Sequence, residues 1–230
     1  MAATTQRTTI VDAVVPGQGL LRDLALVGAF TVLVAVLAQI AVRLPFTTVP
    51  ITGQTLAVLL TGGALGARRG AVTLGLYLLL GTVGVPVFSP AGSALGGQTL
   101  HVILPWKGLG APVWLITSGG YIVGFVAAAF LVGRLAERGW ERGWRVTLAM
   151  LAGSIAIYVP GLLWLGYCIG TGALNSRLGF DLAAVIPGSS TLDKTLVGGL
   201  YPFIVGDLIK LYIASIALPG AWALIGRRRG

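Results

Sequence analysis

Apolar residues run along this chain in long, nearly unbroken blocks, and the short stretches between them hold almost all of the basic residues. The first block, Leu24–Val42, is close to the ~20 residues that a helix rising about 1.5 Å per residue needs to cross a hydrocarbon layer of roughly 30 Å. Ala71–Val87, Gly120–Leu135, Val146–Ile169 and Leu196–Leu218 repeat the pattern. Gln54–Leu65, after Pro50, is short and interrupted by glycine, which predicts a tilted helix or one that reaches only part of the way across. Pro160 predicts a bend in the fifth block, and Pro219-Gly220 the end of the sixth. The expected fold is an all-α integral membrane protein, a bundle of six transmembrane helices. The expected organisation is a tail over 1–23, a single membrane domain over 24–224 and a basic tail over 225–230. Residues 1–20 show no apolar period, and a polar, Thr-rich start without a cleavage site argues against a signal peptide.

Composition agrees with lipid as the main solvent: 56% hydrophobic and 10% charged residues could not cover a soluble surface with polar groups. A net charge of +9 raises the question of nucleic acid, but the basic residues fall in interhelical clusters rather than along one face, so no nucleic-acid partner is expected. With the N-terminus inside, the inner segments hold eleven of the sixteen Lys and Arg residues: Arg7, Arg22, Arg68, Arg69, Arg134, Arg138, Arg142, Arg145 and Arg227 to Arg229. The outer segments hold Arg43, Lys107, Arg177 and Lys194, and Lys210 lies within a span. This asymmetry places both termini in the cytoplasm and the long loops outside. The longest, Pro86–Gly119, carries Phe88, Trp106 and Trp114, which are expected to be buried, with the tryptophans serving as interfacial anchors or as cover for a ligand. Its His101, the sole histidine, is expected at the loop surface, and no metal site or cofactor is predicted. Cys168 reads as a small buried hydrophobe.

Small residues four apart recur at Ala25/Ala29, Thr31/Ala35, Gly62/Gly66, Gly66/Gly70, Gly120/Gly124, Ala152/Ala156 and Gly166/Gly170. Such pairs let helix backbones approach, either within the bundle or, for the first helix, against a partner. The exceptional residues are Asp207 and Lys210 in the last span. Each opposes insertion by about 2.5–3.5 kcal/mol at a helix centre, and their i, i+3 spacing puts them on one face. They predict either a structural ion pair or a site for a small acid with a polar head and an aliphatic body, bordered by Phe203, Tyr201, Trp164 and Tyr121. Gln54, beside Pro50-Ile51-Thr52-Gly53, is a second polar group at a broken helix.

Four runs resemble the BioY biotin-binding S components of energy-coupling-factor (ECF) transporters. They are Ala38-Gln39 leading to Leu44-Pro45-Phe46 and Val49 to Thr55; Tyr77 to Gly81 with Gly84 to Phe88; Ser118-Gly119-Gly120-Tyr121 with Gly124-Phe125; and Pro202 to Lys210. The resemblance spans about Leu24 to Leu218 and implies a bacterial cytoplasmic-membrane protein that captures biotin from outside. It also implies a membrane coupling (T) subunit and two ATP-binding subunits as partners. It implies ligand contacts at Asp207 and Lys210, beside which the residue reading sets Tyr121, Gln54, Trp164, Phe203 and Phe88 as candidate contacts, and it implies docking on the coupling subunit through the small residues Ala25, Ala29, Thr31 and Ala35 of the first helix. The chain departs from the family pattern in Ile116-Thr117-Ser118, where a proline turn is usual, and in a long outer loop that lacks Arg and Asn. An S component for another small vitamin or acid is the neighbouring alternative. An intramembrane hydrolase is disfavoured, because no G-x-S-G run or second intramembrane aspartate accompanies Asp207, and the chain has no P-loop to make it an ATPase. No enzymatic activity is expected.

Overall fold

The computed structural model describes residues 9–17, 19–91, 99–140 and 144–227. Arg7, Arg142, Arg228 and Arg229 of the charge argument lie outside them. The chain is mainly helical. Helices α2 (Leu20–Gln39), α3 (Gln54–Leu65), α4 (Ala67–Thr82), α5 (Gly119–Leu135), α6 (Arg145–Thr171) and α10 (Tyr201–Arg227) build the bundle. Shorter helices are α1 (Ile10–Val14), α7 (Asn175–Leu178), α8 (Leu182–Val185) and α9 (Thr191–Gly199). Among the described residues, four helical stretches are long and apolar enough to cross a membrane: Leu20–Gln39, Gly119–Trp140, Arg145–Thr171 and Thr191–Gly226.

Helix α5 is the axis. In its most apolar stretch 61% of residues are buried, against 22% for α2 and 11% for the last helical stretch. Glycine makes this possible. A methyl group added at Gly124 would lie 2.9 Å from the carbonyl oxygen of Ala156 on α6, and one at Gly120 would lie 2.3 Å from that of Pro160. Pro160 has no N–H to bond the carbonyl of Ala156, so the oxygen that α5 approaches is one the proline leaves free. On the other side Gly62 of α3 meets the backbone of Ala129, at 2.7 Å for an added methyl. The expected small-residue pairs on α3 and α5 therefore serve internal backbone contact.

Helices α3 and α4 are joined by Gly66 alone, at φ +83°, a left-handed conformation that glycine adopts without strain. The buried N-terminus of α4 is capped by Glu137, whose Oε1 accepts from the Ala67 N–H at 2.8 Å. This junction starts α4 four residues before the expected Ala71, and α4 ends at Thr82 rather than Val87.

Four further expectations need correction. The tail over 1–23 is partly structured: α2 already begins at Leu20, and α1 opens with a capping box in which the Asp12 N–H donates to Thr9 Oγ1 at 3.3 Å and the Thr9 N–H to Asp12 Oδ2 at 3.4 Å. Ile10 is buried with Leu59, Val132, Met150 and Leu218, so α1 closes the arginine-rich end of the bundle. The fold is also not purely α. Helix α2 stops at Gln39, and the next residues form β1 (Ala41–Arg43), the central strand of a small antiparallel sheet with β2 (Ile51–Thr52) and β3 (Thr99–His101). His101 pairs with Ala41 and is buried, not at the surface, because the sheet folds its loop inward. Lastly, α10 runs through Pro219-Gly220 to Arg227. An interior proline costs about 3 kcal/mol, and beyond it Trp222 and Ile225 pack against the α1 cluster. The break falls earlier, at Leu200, and separates α9 from α10 within the expected Leu196–Leu218 span.

Asp12 fastens α1 to the bundle. Its Oδ1 accepts from Arg22 Nη2 at 2.9 Å and from Arg69 Nη1 at 2.8 Å, and Asp23 also faces both arginines. Burial of the Asp12 carboxyl works against ionisation, but hydrogen bonds from Thr9, Arg69 and Arg22 outweigh it and hold the pKa at about 2, below the ordinary 3.8. A depressed carboxylate pKa stabilises the fold above its unfolded value and ceases to do so as pH falls through the folded value. The protection factors of the amides of residues 9–17, taken against the intrinsic exchange rate at each pH, should therefore be high at neutral pH and fall between about pH 4 and pH 2. Asp12→Asn should give the lowered protection already at pH 7.

Candidate binding cavity

A cavity of about 50 Å³ is lined by residues of α3, α5, α6, α10 and the loop segments that precede α3 and α5. The segment between β1 and β2 contributes Val49 and Pro50, the long loop contributes Ser89, and the start of α5 contributes Ser118 and Tyr121. Apolar walls come from Ile122, Phe125, Ile157 and Phe203. The polar floor is made by Asp207 and Lys210 of α10, Thr55 of α3 and Tyr158 of α6.

This floor is a connected network. Lys210 Nζ donates to Asp207 Oδ1 at 2.7 Å, Thr55 Oγ1 donates to the same oxygen at 3.2 Å, and the Tyr158 hydroxyl donates to Oδ2. The side chains of Lys210 and Asp207 are only 15% and 13% exposed. A carboxylate offers about four acceptor positions, so Asp207 keeps one more, on Oδ2, after these three bonds. An ammonium has three donors, and among the described residues Lys210 commits one. The pair thus keeps a single acceptor position and two charged donors uncommitted among the described residues, at the edge of the cavity.

Gln54 also borders the cavity, at the first turn of α3. The helix begins there because the Gly53 N–H donates to the carbonyls of Leu37 and Ile40, both 3.1 Å away, satisfying acceptors that the end of α2 leaves open. A methyl on Gly53 would sit 2.8 Å from Leu37 O, so this approach requires glycine. Gln54 Oε1 accepts from Thr52 at 2.9 Å and its Nε2 donates to the Tyr77 hydroxyl at 2.6 Å, which in turn donates to Val87 O at 3.1 Å. Gln54 thereby ties the cavity to the long loop. Tyr121 lines it with its ring, packed over Gly161 and edge-to-face with Tyr158 at 5.9 Å, while its hydroxyl donates to Gly199 O at 2.8 Å. Ser89 and Ser118 present hydroxyls with no hydrogen-bond partner among the described residues.

Of the seven predicted contact residues, Asp207, Lys210, Tyr121, Gln54 and Phe203 meet at this cavity. Two do not. Phe88 is 1% exposed in the core, edge-to-face with Tyr77 at 5.4 Å and against Gly81. Trp164 donates to Ile116 O at 2.8 Å, stacks on Tyr167 and lies outside the lining. Tyr201, also expected nearby, is exposed, as are Trp106 and Trp114, so among the three loop aromatics only Phe88 is buried. Tyr158 and Thr55 were missed. The available signal was a phenol tip and a hydroxyl in otherwise apolar helices, groups that need a partner wherever water is excluded.

The expected docking face also divides. Ala25 and Ala29 are exposed, whereas Ala35 is buried and Thr31 is buried with its hydroxyl donating to Val27 O at 2.8 Å and Thr73 O at 3.3 Å. At 3.6 residues per turn, positions six apart lie about 240° round the helix, so the two pairs cannot share a surface.

Comparison with known proteins draws these features together. The chain is 31% identical over 214 residues to the biotin transporter BioY of Rhizobium etli, covering 89% of this chain and 94% of that protein. It is 31% identical over 196 residues to the biotin transporter BioY of Thermotoga maritima, covering 85% and 93%. Its fold is similar to that of the S-component for biotin from an ECF-type ABC transporter, solved at 2.1 Å, with a TM-score of 0.57 at 22% identity over 86% of this chain and 89% of that one. The BioY family profile matches residues 4–227, and the chain belongs to the BioY family.

Proposed function

We propose that this protein is the biotin-binding S component of an ECF transporter in a bacterial cytoplasmic membrane. Helices α2, α3, α4, α5, α6 and α10 are the six crossings in this reading. Both termini are cytoplasmic, because the junctions carrying Arg22, Arg68, Arg69, Arg134, Arg138 and Arg145 all fall at one end of the bundle. The sheet and the long loop then face outward, and biotin enters from that side. A coupling subunit and two ATP-binding subunits supply the energy.

The observation that carries this reading is the Asp207–Lys210 pair at the floor of an otherwise apolar cavity. One acceptor beside two charged donors suits a ligand edge with an N–H next to a carbonyl or carboxylate oxygen, which the ureido group of biotin provides, while Phe125, Ile122, Ile157 and Phe203 suit its aliphatic part. Small-molecule sites commonly span about 300–1,000 Å³. A cavity of about 50 Å³ therefore has to widen as ligand enters, through the segments bearing Val49, Pro50 and Ser89.

Titration of purified protein with radiolabelled biotin tests the reading. Lys210→Ala should weaken binding at least tenfold, about 1.4 kcal/mol, and Asp207→Asn should weaken it in protein that still inserts and purifies. If the pair is only a structural lock, melting temperature falls in both variants while affinity holds. Docking on the coupling subunit is assigned to the exposed Ala25 and Ala29. Ala29→Trp should abolish co-purification with that subunit and leave biotin binding intact. Ala35→Trp, which overfills a buried position, should lower the melting temperature and lose both properties.

A further inference from the structure

Tyr158 contributes neither charge nor an obvious ligand-binding pattern, yet it is the sole described donor to Asp207 Oδ2, the oxygen that keeps the free acceptor position. It lies on α6, which packs backbone to backbone on the central helix α5, whereas Asp207 belongs to the least buried part of the bundle. Its ring is held edge-on by Tyr121, whose own hydroxyl is fixed to Gly199. Thr55 approaches from α3 and Lys210 from one turn further along α10, but both bond Oδ1. Without the phenol, the plane of the carboxylate would be set by Oδ1 alone, through a 3.2 Å bond from Thr55 and a bond from a flexible lysine chain of the same helix. A carboxylate's terminal torsion has a broad profile, and a donor held by the α5–α6 pair narrows it beyond what these two bonds do.

We propose that Tyr158 is the positioning residue of the site: by donating to Oδ2 from the rigid α5–α6 pair, it fixes the plane in which Asp207 meets the ligand. This rests on the cavity being the biotin site. The hydroxyl acts through Asp207, so its contribution depends on the carboxylate being there. A residue that merely filled space would be indifferent to the chemistry at position 207.

A double-mutant cycle read by biotin titration tests this. Tyr158→Phe, which keeps the ring and its packing, should weaken binding about tenfold. In an Asp207→Asn background the same change should weaken it less than twofold further. A second measurement keeps the ring and the hydroxyl at position 158. The infrared difference spectrum on adding biotin should contain a carboxylate band that disappears in Asp207→Asn. That band should shift when the protein is produced with 3-fluorotyrosine, whose hydroxyl is a stronger donor. Unchanged affinity in Tyr158→Phe, an equal loss in both backgrounds, or a band unmoved by fluorotyrosine would each overturn the proposal while the biotin reading stands. No biotin binding by the unsubstituted protein would overturn the biotin reading, and this proposal with it.

Discussion

In a chain solvated by hydrocarbon, each polar group inside the bundle must find its partner within the protein, because there is no water to complete its hydrogen bonds. Asp207 imposes this demand most heavily. A carboxylate placed inside α10 needs several donors, and α10 can supply only Lys210, one turn away on the same face. The others come from α3 and α6, so Thr55, Tyr158 and the α10 pair must converge on one point. Much of the remaining architecture can be read as what brings these three helices to that distance.

The requirement is met with glycine rather than with large side chains. Gly62, Gly120 and Gly124 allow α3 and α6 to touch α5 through their backbones, and in lipid such contacts supply dispersion energy where no hydrophobic drive exists between apolar helices. Gly53 does the same at the entrance, bringing the start of α3 against the end of α2 so that Gln54 reaches Tyr77. The polar floor and the loop anchor are thus two results of one device, close backbone approach at positions without a side chain.

How far the sequence could be read varies with the physical signal. Helix interiors were legible, since an apolar block has few alternatives in a membrane. Helix ends were not, because they are settled by long-range events: pairing of Ala41 with Thr52 and His101 ends α2, and Glu137, seventy residues from Ala67, caps α4. The capping box at Thr9 and Asp12 was present in the sequence as a local pattern, but five helical residues, Ile10–Val14, are too short a run to show a period and so to reveal that Ile10 is buried. Asp207 and Lys210 stood out because charge in a span is costly in itself. Tyr158 did not, since a tyrosine in an apolar helix also suits an interfacial position, and only the fold aims its hydroxyl across forty-nine residues at Asp207. Small-residue spacing showed where backbones can approach but not whether the neighbour is internal, which is why Ala25 and Ala29 part from Thr31 and Ala35.

The uneven burial of the helices determines where the bundle can give way. Pulling α6 from α5 would open a seam along which main chains touch, whereas α10 leans on its neighbours with few of its residues enclosed. What holds α10 is therefore local: the bonds of Asp207 to α3 and α6, and the packing of Trp222 and Ile225 at its far end. The helix with the least enclosed surface carries both charges, so polar bonds fasten it where backbone contact fastens the α5–α6 seam.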